Sequence, residues 1–324
     1  MQYKWSGNVN IVMTEAKILT VVIPVYNRAD IVGRTLQCLS EQDTRDFALI
    51  LVDNNSQDDS LNVLQTWKNE NTDIDCTIFS EKKPGATAAR NCGLRNVTTE
   101  YVLFFDSDDV MFPEHLSSII KSVSDFSHPD IIGWDGLQEL AGGKTRTVKF
   151  TMRNMVRNHL VLSILSTYRY AAKTELVRRV GGWNEELTIW DDYELGIRLL
   201  AANPTMKYRQ GKPLVKSFYT AESYTSTHLS DKQEKVEKCL DEVEKTVKKH
   251  FENFLPWVDY RRAVLAAFYD LEGDKSNAER LLNEACRSVT PPAIVKTLYH
   301  WHHIFGRGAW IIARILFALS GKKC

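Results

Sequence analysis

The sequence predicts an α/β protein with a mostly parallel sheet and flanking helices, followed by a helical C-terminal extension. Three observations carry this prediction. β-branched apolar runs recur through the first 110 residues, each gives way to an apolar pattern of helical or loop character, and three of the runs end in polar or acidic residues.

Residues 18–25 form the first run, which reads as a buried strand. Val32, Leu36 and Leu39 then recur at i, i+4, i+7, one face of a helix, with Asn27 and Asp30 where a cap and its third-position carboxylate belong. Residues 48–52 form a second strand, and Leu61, Leu64 and Trp67 mark a second helix face. A third strand is expected over 76–79, a small-residue helix over about 85–96, and a fourth strand over 101–105. Strands separated by helices of this length form βαβ units, whose ligands sit in the crevice beyond the carboxyl ends of the strands. The residues there are Pro24-Val25-Tyr26-Asn27-Arg28, Asp53-Asn54-Asn55-Ser56 and Asp106-Ser107-Asp108-Asp109.

Composition narrows the function classes. The chain has 324 residues, 44% hydrophobic, with 41 basic against 41 acidic side chains and a net charge of zero. It has no global field for gripping nucleic acid, and its charged fraction of 25% with 10% aromatics excludes a disordered chain. Six scattered cysteines lack any C-x-x-C pair, which points away from zinc and from a disulfide framework, and toward a reducing compartment. The longest apolar stretches, 18–25 and 309–319, fall short of the roughly 18 to 20 residues of a spanning helix. A cytoplasmic protein is expected, with a basic tail that leaves open a place on the cytoplasmic face of the inner membrane.

The boundaries expected are an N-terminal extension over 1–16, to which no role is assigned, a main domain over 17–228, and a helical region over 229–324. In the last, Val236, Leu240, Val243 and Val247 line one face of a Lys- and Glu-rich helix, and 263–286 read as a helical hairpin. From Arg287 to Cys324 there are six basic residues, three histidines and no acid, interleaved with Tyr299, Trp301, Phe305 and Trp310. This is the pattern either of a membrane-interface segment or of a terminal helix docked on its own domain. Without that tail, residues 1–286 carry 35 basic against 41 acidic side chains, a net of −6.

Asp106-Ser107-Asp108 is the strongest chemical feature. Carboxylates two apart just past a strand can place one side chain on a divalent ion and the other on a sugar hydroxyl, and hard Mg²⁺ or Mn²⁺ prefers such oxygens. Alone, the pair also fits a solvated acidic turn. Its setting decides the matter: residues 20–28, 51–56, 84–91 and 105–109, then Gly181-Gly182-Trp183-Asn184-Glu185 and Asp191-Asp192-Tyr193-Glu194, resemble in order the motifs of family 2 glycosyltransferases of the GT-A fold. The resemblance covers about 17–228 and is of the bacterial cell-surface polysaccharide type.

That resemblance implies an inverting transferase using a nucleotide-diphosphate sugar and a divalent cation, Mn²⁺ or Mg²⁺. It implies that Pro24, Tyr26, Asn27 and Arg28 line the nucleobase and ribose, and that Asp53 accepts a hydrogen bond from the base, typically a uracil N–H. Gly85 and Arg90 face phosphate or base, with Lys82 or Lys83 near the diphosphate; Asp106 bonds the ribose; Asp108 holds the metal. Asp192, second of an acidic pair in which Asp191 replaces the usual Glu, is implied as the general base, although both acids also suit the start of a helix. Gly182 lets the backbone approach the donor sugar; Trp183 and Trp190 offer stacking faces; Trp134 and Asp135 contact donor or acceptor; His228 is a second metal ligand. The implied reaction moves a hexose or N-acetylhexosamine from a UDP-sugar to a saccharide or lipid-linked saccharide. A GDP- or dTDP-sugar donor and a non-catalytic nucleotide-sugar-binding protein stay open as alternatives.

Overall fold

The computed structural model describes residues 17–140, 142–218 and 228–320. The N-terminal segment 1–16, Lys322, Lys323 and Cys324 lie outside them. The first 140 residues run β1 (Leu19–Val25), α1 (Val32–Ser40), β2 (Ala48–Asp53), α2 (Ser60–Glu70), β3 (Asp75–Ser80), α3 (Ala86–Asn96), β4 (Tyr101–Phe104), β5 (Val110–Met111), α4 (His115–Asp125), β6 (Ile131–Trp134) and β7 (Gly136–Glu139). There follow β8 (Thr145–Val148), α5 (Met155–Leu162), β9 (Tyr170–Lys173), α6 (Thr174–Arg179), α7 (Asp191–Ala201), β10 (Met206–Arg209) and β11 (Val215–Phe218). Five helices close the chain: α8 (Gln233–His250), α9 (Leu255–Leu271), α10 (Lys275–Cys286), α11 (Pro292–Phe305) and α12 (Ala309–Leu319).

The main sheet has the order β10-β6-β9-β4-β1-β2-β3. Strands β1 to β4 pair in parallel, as the βαβ pattern requires, and β9 is inserted antiparallel between β4 and β6. Because helices cover both faces, β1 is apolar apart from Thr20: Val21 and Ile23 point into one core cluster and Val22 into the other. Helices α1, α2 and α4 cover the first face; α3 and α5 to α12 share the second. A smaller sheet, ordered β5-β11-β7-β8, was not anticipated. Its strands are two to four residues long, and β11 joins β5 and β7 from a distance of about eighty to a hundred residues in sequence, which no local period can reveal.

Two local expectations change. Asn27 does not cap α1, which begins at Val32 after turns onto the Arg28 carbonyl. Asn27 is left-handed at φ 49°, and its side-chain oxygen instead accepts the Gln57 N–H at 2.8 Å, stitching the β1 and β2 loops together. The expected hairpin over 263–286 is α9 and α10, but α9 begins at Leu255 and lies inside the core, with Trp257 fully buried against Phe317.

The packing of α3 on β1 is close enough to set a limit. A Cβ at Gly93 would stand 2.3 Å from Val22 Cγ1. Gly93→Ala is therefore expected to cost about 1–3 kcal/mol through overpacking, measured as a fall in the urea midpoint at constant slope.

Candidate active site

The carboxyl ends of β1, β2 and β4, the start of α3 and the start of α7 surround a cavity of about 680 Å³. Pro24, Tyr26, Arg28, Gly85, Arg90, Asp106, Asp108 and Asp191 all line it. These eight sequence-chosen residues span 168 positions of chain, and the parallel topology brings them together. Tyr26 is 55% exposed at the rim, an aromatic face open to a ligand.

Arg90 organises the floor. It is buried, donates to Asp191 Oδ2 at 2.5 Å and to Asp106 Oδ1 at 2.8 Å, and stacks on Trp183 with its guanidinium 4.5 Å from the ring centre. Burial alone would depress its pKa; Asp191 and Asp106 outweigh that and hold it above the ordinary range. Thr167 donates to the other oxygen of Asp106 at 3.0 Å. The guanidinium fork therefore holds the two carboxylates together, while Arg90 also lines the cavity where the resemblance implied a contact with phosphate or base.

The acidic pair starts α7. Trp190, left-handed at φ 55°, turns the chain into the helix, and Asp191 Oδ1 accepts the Asp192 N–H at 3.1 Å. Asp192 stands beside the cavity lining, in electrostatic reach of Arg90 and Asp106. Its Oδ1 accepts the Tyr193 N–H at 2.8 Å, and its Oδ2 takes no hydrogen bond among the described residues. Burial, then the neighbouring Asp191, push its pKa up to about 7, and Arg90 partly offsets them. One carboxylate of the pair is thus tied to a cation, while burial raises the pKa of its neighbour toward neutrality.

At the end of β4, burial and the adjacent Asp106 raise the pKa of Asp108 against Arg28 and Arg34. Burial, Asp106 and Asp108 raise that of Asp109 further. Only Asp106 and Asp108 of these three face the cavity. Two carboxylates crowded at the cavity edge gain from a hard cation, so the residues fit Mg²⁺ or Mn²⁺ with the half-buried, cavity-lining Asp108 as the ligand. No cluster of three or more His, Cys, Asp or Glu side chains arranged for a metal occurs among the described residues, so substrate oxygens and water must complete such a shell.

Several chosen residues serve other ends. His228 is exposed, 3.8 Å from Asp231 and away from the cavity lining, so the structure does not bring it to Asp108. Trp134 is wholly buried, donating to the Tyr168 carbonyl at 3.0 Å, and Asp135 is closed off by Lys149 at 2.7 Å and the Phe150 N–H at 2.8 Å. Neither offers a face to a sugar. Trp183 is buried edge-on against Phe104 beneath Arg90, a support for that arginine. Trp190 lies under Arg261 and Tyr193. Gly182, at φ +69°, makes its close approach to Asn91, whose Oδ1 would be 2.7 Å from an added Cβ. Lys83 pairs with Glu185 at 2.6 Å.

Asp53 is buried at the end of β2. Its Oδ2 accepts the Ser56 N–H at 3.3 Å, while its Oδ1 has no partner among the described residues. The neighbouring Asn54 was missed. Its amide donates to the Glu81 and Lys83 carbonyls at 2.9 and 2.7 Å, and its oxygen accepts the Gly85 N–H at 2.8 Å, so that N–H is spoken for. Asn54 thereby sets the loop that opens α3 toward the cavity, and its place beside Asp53 was the available signal. Lys235 of α8 also lines the cavity and was missed, because no motif links it to the residues it joins.

Among the described residues no helix is long and apolar enough to cross a membrane. Cys38, Cys76, Cys92, Cys239 and Cys286 are all free thiols.

Residues 20–141 match the model for "Glycosyl transferase family 2". An "Uncharacterized glycosyltransferase" of Haemophilus influenzae is 26% identical over 235 residues, covering 71% of this chain and 78% of that protein. The Campylobacter jejuni "GalNAc(5)-diNAcBac-PP-undecaprenol beta-1,3-glucosyltransferase" is 28% identical over 107 residues, 33% of this chain and 35% of that protein, so only about a third of its length is matched. The crystal structure of S. aureus TarS 1–349 in complex with UDP-GlcNAc superposes with TM-score 0.58 at 16% identity, covering 85% of this chain and 95% of that one. With the parallel sheet, the acidic strand end and the ordered motifs on one cavity, residues 20–141 are similar to family 2 glycosyltransferases, and the chain shares the fold of TarS.

Proposed function

We propose that the protein transfers a hexose or N-acetylhexosamine from a UDP-sugar to a saccharide or lipid-linked acceptor, with inversion, in cell-surface polysaccharide synthesis. One observation carries the chemistry: Asp191 is tied to Arg90 while Asp192 beside it has its pKa pushed up to about 7. A base poised near neutral pH beside an arginine-paired carboxylate suits removal of a proton from an acceptor hydroxyl as its oxygen attacks the anomeric carbon.

The donor end supports the same reading. Asp53 Oδ1 is an acceptor-only atom without a partner among the described residues, matched to a uracil N–H, and Tyr26 supplies a flat face at the cavity rim. TarS, of the same fold, binds UDP-GlcNAc. Asp108 would hold the divalent ion, which supplies charge neutralisation for a leaving diphosphate. Arg28, Lys235 and the start of α3 are the cationic or N–H-bearing groups of this cavity nearest that task. The Campylobacter relative, by its name, acts on an undecaprenol-linked saccharide, which supports an acceptor of that class.

Thermal shift tests this donor assignment. Saturating UDP with Mn²⁺ is expected to raise Tm by about 5 °C, GDP and dTDP by less, and the Mn²⁺ dependence should vanish in Asp108→Asn. A larger rise with GDP overturns the uridine reading.

A further inference from the structure

The last two helices are docked on one side only. Val295, Leu298 and His302 of α11 and Ala309, Ala313 and Phe317 of α12 are buried, the latter three at i, i+4, i+8, with Phe317 edge-on to Trp257 at 5.0 Å. This answers half of the question the tail raises, since it packs on the protein. The other side stays in water: Ile311 is 48%, Ile315 53% and Leu319 80% exposed, one continuous strip along α12.

Beside that strip lies a hollow of about 300 Å³ lined by Arg153 and Arg157 of the α5 approach, Arg314 and Trp310 of α12, and Leu162. Arg314 also borders the apolar hollow formed by Ile311, Ile315 and Leu319, so the two are contiguous. Among the described residues no acidic side chain lines either one. Arg157 is anchored by Asn158 Oδ1 at 3.3 Å, and the Arg314 guanidinium sits 5.8 Å from the centre of the Trp310 ring. Arg153 and Arg157 lie far outside the basic tail in sequence, so this cluster is a product of folding.

We propose that this face binds the surface of an anionic phospholipid bilayer. The strip of Ile311, Ile315 and Leu319 enters the acyl boundary, and the arginine-lined hollow takes a headgroup phosphate. Charge complementarity selects this occupant: the exposed guanidiniums of Arg153 and Arg314 line a hollow with no acidic side chain among the described residues and attract phosphate, which they can grip through paired N–H donors. An apolar strip three turns long with tryptophan and cations on its flank has the make-up of an interfacial helix. The surface is assembled from α5 and α12 and does not depend on which sugar or nucleotide the cavity accepts.

Co-sedimentation of the full chain with vesicles of phosphatidylcholine alone, or with 30% phosphatidylglycerol, tests it. Binding is expected to the anionic vesicles only and to weaken as salt rises. Ile315→Glu with Leu319→Glu should reduce it by at least about tenfold, and Arg153→Gln with Arg314→Gln by about fivefold or more per charge. The arginine pair is solvent-facing, so it remains a test where the first pair disturbs folding, and the UDP-dependent rise in Tm reports an intact cavity in both. Equal partitioning to neutral vesicles, no partitioning, or a chain dimer that Ile315→Glu dissociates without any effect on lipid binding would each overturn the proposal.

Discussion

Replacing Asp192 by Asn is expected to lower kcat by about 10²- to 10⁴-fold, the usual worth of a positioned general base. The substitution keeps the Tyr193 N–H bond available to the side-chain oxygen at 2.8 Å and keeps the volume, so stability and the UDP-dependent rise in Tm should change little. A transfer assay with saturating donor and acceptor reads the loss. The unmodified protein carries a second signature. Burial and Asp191 raise the Asp192 pKa to about 7, and a base works only when deprotonated. Activity should therefore fall tenfold per unit as pH drops below about 7, and level off above it. Retained transfer in Asp192→Asn, or a flat profile between pH 5 and 8, would show that the base is elsewhere.

Removing Arg90 should have the largest effect on stability. Its fork joins Asp106 and Asp191 at 2.8 and 2.5 Å, and Arg90→Ala leaves two carboxylates facing each other across the cavity floor. Breaking a buried pair typically costs 3–5 kcal/mol; because Asp106 is about a third exposed, about 3 kcal/mol is expected, read from the urea midpoint. The sign of the pH effect follows from the same charge. Arg90 lowers the Asp192 pKa, so without it the acid limb of the activity profile should move to higher pH. Arg90→Lys retains a positive charge without the planar fork, and should restore part of the pH midpoint while recovering less of the stability. An unchanged midpoint in Arg90→Ala would separate Arg90 from the titration of the base.

Much of this site is legible in the chain because each residue follows a strand whose apolar character announces where it ends. Tyr26 and Arg28 follow β1, Asp53 follows β2, and Asp106 and Asp108 follow β4; a parallel sheet then sets all these ends on one edge. Arg90, Asp191 and Gly85 were readable only through the ordered motifs. Trp134, Asp135, Trp183 and His228 carried side chains suited to sugar or metal, yet burial or distance removes them from the cavity. Residue type shows what a group can do; exposure decides whether a ligand can reach it. Lys235 was missed for the opposite reason, since its place at the cavity comes wholly from where the backbone sets it, whereas Asn54 adjoins Asp53 in the chain.

By itself, the sequence determined the class of sheet, the four N-terminal strands with the three helices between them, and the acidic strand ends, because periodicity and strand-end chemistry are local properties of the chain. Only the tertiary structure decided that the Arg90 fork binds Asp106 and Asp191, that burial beside Asp191 pushes the Asp192 pKa up to about 7, and that Arg153 and Arg157 meet Arg314 beside an exposed strip of α12. The physical reason is common to all three. Pairing, desolvation and charge clustering depend on distances between residues far apart in sequence, and those distances exist only after the sheet and its covering helices have packed.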